Sequence, residues 1–333
     1  MPDDLIDLSG KDADEILSLF TSLDELADTK RIVVVVWSPE KKGKTHFAMT
    51  SSELVPENPT ISPELQEMLA DGRLVVGTPV FFFDTEGKAR KLKYKFAGRD
   101  VRILVVRVPD KEHPGKADCF QSMKNLLLGL VAMSRQPCGT VVIDSWSDAN
   151  RWMRRIIQQK EAEKLGTEVG IFDLTETDWK DYEIRGDVLD FIMFYIQNNI
   201  PNMHVILTSR AKKQYKTEWD EKKGKQALHA TGKVVKKMWD DTMYYADCEV
   251  MLDRTEMSDG KPERTGELIT TEYDDEDPIT AEWINPTFPK LVDTIKDFIW
   301  KRKVVAPYKK PKKAAKKKAK KIVEDPDEAE EDD

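Results

Sequence analysis

Five short runs of apolar residues recur along the first two thirds of the chain. RIVVVVW, at residues 31–37, is a continuous β-branched run, which is typical of a strand buried on both faces of a parallel sheet. Similar runs follow, in sequence order TPVFFFD (78–84), VRILVVRV (101–108), GTVVID (139–144) and MHVILTS (203–209). Helical patterns lie between several of them, at 117–133, 147–164 and 186–198. This alternation predicts an α/β domain with a mostly parallel central sheet flanked by helices.

The remaining segments divide the chain further. Residues 1–29 carry an amphipathic helical pattern and precede a core that we place at residues 30–255. Within that core the polar, lysine-rich residues 210–235 predict an exposed basic hairpin with Gly224 near its tip. Residues 256–303 predict further strands and a closing helix. Residues 304–333, lysine-rich and then acidic, have little to bury and predict a disordered tail.

Composition and charge argue against a membrane-spanning or secreted chain. Charged residues make up 34% of the sequence and the net charge is −8. No apolar run approaches the ~20 residues that a membrane-spanning helix needs. The amino-terminal residues, MPDDLIDLSGKDADEILSLF, carry acidic groups where a secretory signal would carry lysines. We therefore expect a cytoplasmic protein.

SPEKKGKT, residues 38–45, lies between the first buried run and a predicted helix. Its spacing matches the phosphate-binding loop G-x-x-x-x-G-K-[ST], whose amides cradle phosphates while the lysine binds them and the hydroxyl binds Mg²⁺. Ser38 replaces the first glycine, which would disable the loop if that position required φ > 0. The alternative is a lysine-rich turn without a nucleotide. The predicted ligands are ATP and Mg²⁺, bound by Ser38, Pro39, Glu40, Lys41, Lys42, Gly43, Lys44, Thr45 and His46.

Carboxylates follow two of the other apolar runs. Asp144 ends VVID and is suited to bind Mg²⁺ together with Thr45; the alternative is a cap on the next helix. Asp84 and Glu86 stand in FFFDTEG, where a carboxylate can orient a water for attack on the γ-phosphate. The alternative there is turn chemistry that ends in Gly87.

In their order along the chain, SPEKKGKT, FFFDTEG, GTVVIDS and VILTSR resemble the two Walker motifs, the catalytic glutamate and the sensor strand of RecA-like ATPases. DTEG is similar to the archaeal RadA recombinases. DYEIRGD, the lysine hairpin and YYADCEVML are similar to virus- or phage-type RecA-like ATPases, including those proposed as single-strand annealing proteins. The resemblance covers residues 30–255 and implies a RecA-like P-loop NTPase core.

The resemblance also implies roles for individual residues. Lys44 and Thr45 would bind the phosphates and Mg²⁺, Glu86 would polarise the attacking water, Asp144 would be the Walker B acid, and Ser209 would be the sensor. RecA-type recombinases commonly have glutamine at the end of the sensor strand, whereas this chain has Ser209 followed by Arg210.

The resemblance also implies that cations after the sensor strand could act across an interface between subunits. Arg210, Lys212 and Lys213 are candidates to reach a phosphate, either within one chain or from a neighbouring subunit. A contribution from a neighbour would require a homo-oligomer. The alternative is a solvated basic hairpin.

A DNA partner is predicted from the basic segments. Nine lysines between Lys309 and Lys321 can neutralise phosphates and bind DNA in a salt-dependent way. The hairpin at 210–235 is a second basic segment. These segments favour an ATPase that acts on or with DNA, with single strands favoured, in recombination or annealing. A solubilising tail without a partner is the alternative.

Two functions of other classes are consistent with the same loop. A small-molecule kinase would need paired lid arginines, for which Arg151, Arg154 and Arg155 are candidates. If the chain is a non-hydrolysing nucleotide-binding scaffold, Ser38 and Lys41 indicate a decayed loop. The presence of Lys44, Thr45, Glu86 and Asp144 argues against decay.

Overall fold

A computed structural model describes most of the predicted core. It covers residues 31–39, 42–87, 89–92, 94–113, 115–164, 179–220, 225–238, 240–256, 262–271 and 281–301. The predicted amino-terminal helical segment and the charged tail lie outside the described residues. So do Glu40, Lys41 and the tip of the basic hairpin.

The described residues form eleven strands, all but two of which belong to one sheet. The two strands outside that sheet, β4 and β5, pair with each other. The strands are β1 (Val33–Ser38), β2 (Val80–Asp84), β3 (Val101–Val105), β4 (Val108–Pro109), β5 (Ala117–Asp118), β6 (Thr140–Asp144), β7 (His204–Asp220), β8 (Lys225–Lys237), β9 (Cys248–Glu256), β10 (Pro262–Thr271) and β11 (Glu282–Ile284).

Six α-helices and three short 3₁₀ helices connect these strands in the described ranges. The α-helices are α1 (Lys44–Met49), α2 (Pro63–Ala70), α3 (Cys119–Met133), α4 (Trp146–Lys164), α5 (Trp179–Asn199) and α6 (Phe288–Lys301). The 3₁₀ helices are Thr50–Glu53, Ala89–Leu92 and Asp240–Tyr245.

The large sheet has the strand order β11-β10-β9-β1-β7-β6-β2-β3, with β8 paired to β7. All five pairings from β9 across to β3 are parallel, whereas β8, β10 and β11 are joined antiparallel. The prediction of a mostly parallel sheet flanked by helices is therefore confirmed. β7 and β8 pair antiparallel where the basic hairpin was predicted, and residues 221–224 between them lie outside the described residues.

Two apolar clusters cover the two faces of the sheet, which explains why the central runs are apolar without interruption. Along β1, Val33 and Val35 pack into one cluster with α3, α4 and α5. Val34 and Val36 pack into the other with α1, α2 and α6. Because successive side chains of a strand point to opposite faces, both sets must be apolar.

The strand predicted at 101–108 differs from the others. β3 ends at Val105 and, among the described strands, lies at the edge of the sheet, paired only with β2. Ile103 and Leu104 are 37% and 47% exposed, so the expectation of another buried strand is wrong.

No described helix is long and apolar enough to cross a membrane.

His204, at the start of β7, is a buried histidine held in one neutral form. Its Nδ1 accepts the N–H of Ile32 at 3.1 Å, and its Nε2 lies 2.7 Å from the carbonyl oxygen of Val75. An acceptor at Nδ1 requires the proton to be on Nε2. Burial lowers the pKa of His204 to about 4; the bond to Val75 raises it, and the nearby charge of Arg31 lowers it.

We expect the free energy of unfolding to fall as pH drops from 6.5 to 4. The unfolded chain binds a proton at His204 in this window and the folded chain does not, a difference of about 3 kcal/mol when complete. Urea unfolding of the parent and of His204→Gln at pH 7 and pH 4.5 measures it, and the variant should lose less stability. His113→Gln, at a surface histidine, is the control and should retain the parental loss. Equal losses in parent and His204→Gln would contradict the prediction.

Candidate functional site

The polar ends of four parallel strands lie side by side at one edge of the sheet. In register, Asp84 of β2 is beside Asp144 of β6, and Ser38 of β1 is beside Arg210 of β7. Since β6 and β7 are also parallel neighbours, the four strands bring these residues to the same edge. Ligands of α/β sheets gather at this carboxyl edge.

At its described ends, Ser38 and Gly43, the loop after β1 has the backbone that its sequence requires. Ser38 is the last residue of β1 and is fully buried; among the described non-glycine residues only Asn285 has a positive φ. The serine in place of the first glycine is therefore not strained. The left-handed conformation is at Gly43, with φ of 105°, where the loop has kept its glycine.

The Lys44 side chain crosses back over the loop. Its Nζ lies 2.9 Å from Ser38 Oγ, 3.2 Å from the Ser38 carbonyl oxygen and 3.5 Å from that of Pro39. Lys44 is also the first residue of α1, the helix that follows the loop. The loop thus holds its ammonium group at the carboxyl end of β1.

Asp144 joins the loop to two neighbouring strands. The Thr45 hydroxyl donates to Asp144 Oδ2 at 2.6 Å, and the Thr208 hydroxyl donates to Oδ1. Burial raises the pKa of Asp144; the two hydroxyls lower it, the carboxylate of Glu86 raises it and Lys44 lowers it. Asp144 is 8% exposed and forms no ion pair with a lysine or arginine of the described ranges.

These oxygens fit a magnesium ion. A buried carboxylate without a paired cation gains most from a bound one, and carboxylate and hydroxyl oxygens are hard ligands suited to Mg²⁺. No three His, Cys, Asp or Glu side chains gather as a metal site in the described parts of the chain. Thr45 and Asp144 would therefore share the ion with phosphates and water, as is usual for Mg²⁺.

Glu86 lies in a network of charges beside this site. Arg210 donates to Glu86 Oε1 from Nε at 3.0 Å and from Nη2 at 2.6 Å. Its Nη2 also contacts Asp148 Oδ2 at 2.9 Å, and Arg151 forms an ion pair with Asp148 Oδ1 at 2.7 Å. The predicted cation Arg210 is thus bound within its own chain. Arg151, a candidate lid residue, is bound to a carboxylate on its own helix, α4.

Asp84 serves the turn that carries Glu86. Its Oδ1 accepts the backbone N–H groups of Glu86 and Gly87 at 3.0 and 2.7 Å, and its Oδ2 accepts that of Ala89 at 2.8 Å. Asp84 is 1% exposed. The turn interpretation therefore accounts for Asp84, while the Glu86 side chain remains 17% exposed.

Where β7 passes the carboxyl ends of β1 and β6, two of its hydroxyls lie on opposite sides. Thr208 contacts Asp144, whereas Ser209 Oγ lies 3.1 Å from Ser147 Oγ. The side chains alternate along the strand, so only one of them can face Asp144. Ser209, the predicted sensor, contacts α4, and Thr208 is the hydroxyl at the acidic site.

The outer residues of the loop contact other parts of the chain. Lys42 forms an ion pair with Asp253 of β9 at 2.7 Å. The His46 ring packs edge-on against Phe96, with 5.4 Å between ring centroids. Burial, followed by the charges of Arg264, Lys95 and Arg99, lowers the pKa of His46 to about 4. His46 therefore presents a neutral ring.

Three residues that sequence reasoning did not identify take part in this site. Asp148 lies one helical turn after Asp144, and Thr208 precedes the predicted sensor, so both had a local signal. Arg264, on β10, had none.

Searches against protein-family models and curated proteins found no match to this chain.

Proposed function

We propose that this chain is an ATP-binding, Mg²⁺-dependent P-loop ATPase of the RecA-like type that acts on or with DNA. One observation carries the proposal: Lys44 and Thr45, which follow β1, Glu86, which follows β2, and Asp144, which ends β6, lie at one edge of the sheet. Thr45 and Asp144 are in direct contact. Glu86 lies near enough to Asp144 to raise its pKa. A decayed loop or an accidental lysine turn would not need these four residues together.

Each residue has a separate task in hydrolysis. Bound Mg²⁺-ATP supplies the phosphoryl group that is transferred to water. Lys44 would pair with the β- and γ-phosphates, and Thr45 and Asp144 would hold the Mg²⁺ ion. Glu86 accepts a proton from the attacking water. Arg210 fixes the Glu86 carboxylate through two N–H groups that it donates to Oε1.

The basic hairpin supports a DNA partner. β7 continues past the ends of its parallel neighbours β1 and β6 and pairs only with β8 from Ala211 to Asp220. Ten strand residues extend about 33 Å. Residues 210–235 hold eight lysines and arginines against three acidic residues. The same β-strand carries Thr208 and Arg210. It would therefore connect the ATP site directly to a nucleic acid bound at the hairpin.

We also propose that the protein assembles into a homo-oligomer. Arg210 is occupied by Glu86 and Asp148 of its own chain, whereas Lys212 is exposed. A cation supplied to a neighbouring subunit would therefore come from Lys212 or Lys213.

Phosphate release from ATP by the full chain, with and without single-stranded DNA, tests the function. We expect Mg²⁺-dependent turnover that increases with single-stranded DNA and decreases as salt weakens DNA binding. A kinase would release little phosphate and would transfer it to an added acceptor. A scaffold would bind ATP without turnover. Either of these two outcomes would contradict the proposal.

A further inference from the structure

Arg264 lies directly over the glycine of the phosphate-binding loop. A methyl group placed on Gly43 would be 3.0 Å from Arg264 Cδ and 3.1 Å from its Nε. Arg264 is on β10, more than two hundred residues later in the chain. The glycine is needed for its positive φ, and its lack of a side chain leaves room for the close approach of this arginine.

No anion of the described residues pairs with the charge of Arg264. Within the described part of the chain its guanidinium forms no hydrogen bond or ion pair, although the residue is half-buried. Other arginines around the site are paired: Arg210 with Glu86, Arg151 with Asp148, and Arg99 with Glu53. An unpaired, half-buried cation is costly unless an anion binds to it.

The surroundings of Arg264 add positive charge. Burial is the main cause that lowers the pKa of His46, and the charges of Arg264, Lys95 and Arg99 add to it, so these cations lie near the start of α1. Lys42, the nearest lysine in sequence to Gly43 on its amino-terminal side, is paired with Asp253. Among the described residues, Arg264 is therefore a second cation, besides Lys44, that can meet an anion at Gly43.

We propose that Arg264 binds the phosphate chain of the nucleotide as a second cation beside Lys44. This inference rests on the proposed function, because it assumes a nucleotide in the loop. A guanidinium can donate two parallel hydrogen bonds to one phosphate, whereas the Lys44 ammonium acts as a point charge. Arg264 reaches the loop from β10, so nucleotide binding would tie the β9–β10 hairpin to the loop after β1.

Calorimetric titration of Mg²⁺-ATP into Arg264→Gln and Arg264→Ala tests this role. Glutamine keeps a polar side chain over Gly43 but removes the charge. A loss of affinity in this variant therefore reports the missing charge rather than lost packing. We expect both variants to bind ATP about tenfold more weakly or worse, because a charge-assisted hydrogen bond is lost. Arg254→Ala is the matched control: Arg254 is the register partner of Arg264 on β9 and is exposed. It should stay within about twofold of the parent.

Inorganic tripolyphosphate, which has no base, distinguishes a phosphate contact from a base contact. Its affinity should fall in parallel with that of ATP in Arg264→Gln. A loss for ATP alone would overturn the phosphate assignment.

Lys44→Ala separates this inference from the proposed function. If Lys44→Ala weakens ATP binding and Arg264→Gln leaves it unchanged, the Arg264 inference is overturned and the loop assignment stands. If neither change affects ATP binding, the proposed function fails as well.

Discussion

Glu86→Gln is expected to bind ATP like the parent and to hydrolyse it at least about 100-fold more slowly. The amide keeps the shape of the side chain and an oxygen that can accept the two N–H groups of Arg210. It cannot take a proton from water. Binding should therefore survive while turnover is lost, as measured by calorimetry and by phosphate release.

Glu249→Gln is the matched control for Glu86. Glu249 is also largely buried and ion-paired, with Lys236 at 2.7 Å, but it lies on β9. Its replacement should leave turnover unchanged. Parental turnover in Glu86→Gln would show that the base lies elsewhere. Asp84 would then be a poor substitute, because both of its oxygens accept backbone N–H groups of its own turn.

Lys44→Ala is expected to weaken Mg²⁺-ATP binding by about 10- to 100-fold. The change removes the charge-assisted hydrogen bonds to phosphate, each of which contributes about 1.5–3 kcal/mol. Lys44 also contacts Ser38 and Pro39 across the loop, so the loop itself should become less ordered in the variant. Calorimetry with ATP and ADP gives the change in affinity.

Lys42→Ala removes the same charge two residues earlier in the same loop. Its ammonium is paired with Asp253, away from Ser38 and Asp144, so ATP affinity should stay within about threefold of the parent. The two variants must differ. If Lys44→Ala binds ATP as tightly as Lys42→Ala, the phosphate-loop assignment is wrong.

The fold was predictable where apolar runs have only one stable arrangement. β1, β2, β6 and the first part of β7 are apolar at consecutive positions, and such strands are stable only with both faces covered. The hairpin of β7 and β8 was predictable because the apolar run stops at a polar, lysine-rich stretch. β3 was misjudged because an edge strand and a central strand can have the same composition. Its exposure depends on the number of its neighbours, which the run does not encode.

The candidate site divides in a similar way. Gly43, Lys44 and Thr45 are consecutive, so their arrangement is local and the loop pattern predicted it. The contacts of Asp144 required the order of the strands: β7 lies between β1 and β6, which brings Thr208 to the carboxylate. The resemblance implied Ser209 as the sensor, and the sequence does not show which residue of the strand faces the acid.

The sequence by itself determined the α/β class, the phosphate-loop pattern and the polar strand ends, because each depends on residues close together in the chain. Only the tertiary structure decided which of those ends meet. It joined Arg210 to Glu86, assigned Asp84 to its turn and placed Arg264 over Gly43. Such contacts depend on how distant strands are ordered and aligned, and strand order is set by the packing of the whole sheet rather than by any one segment.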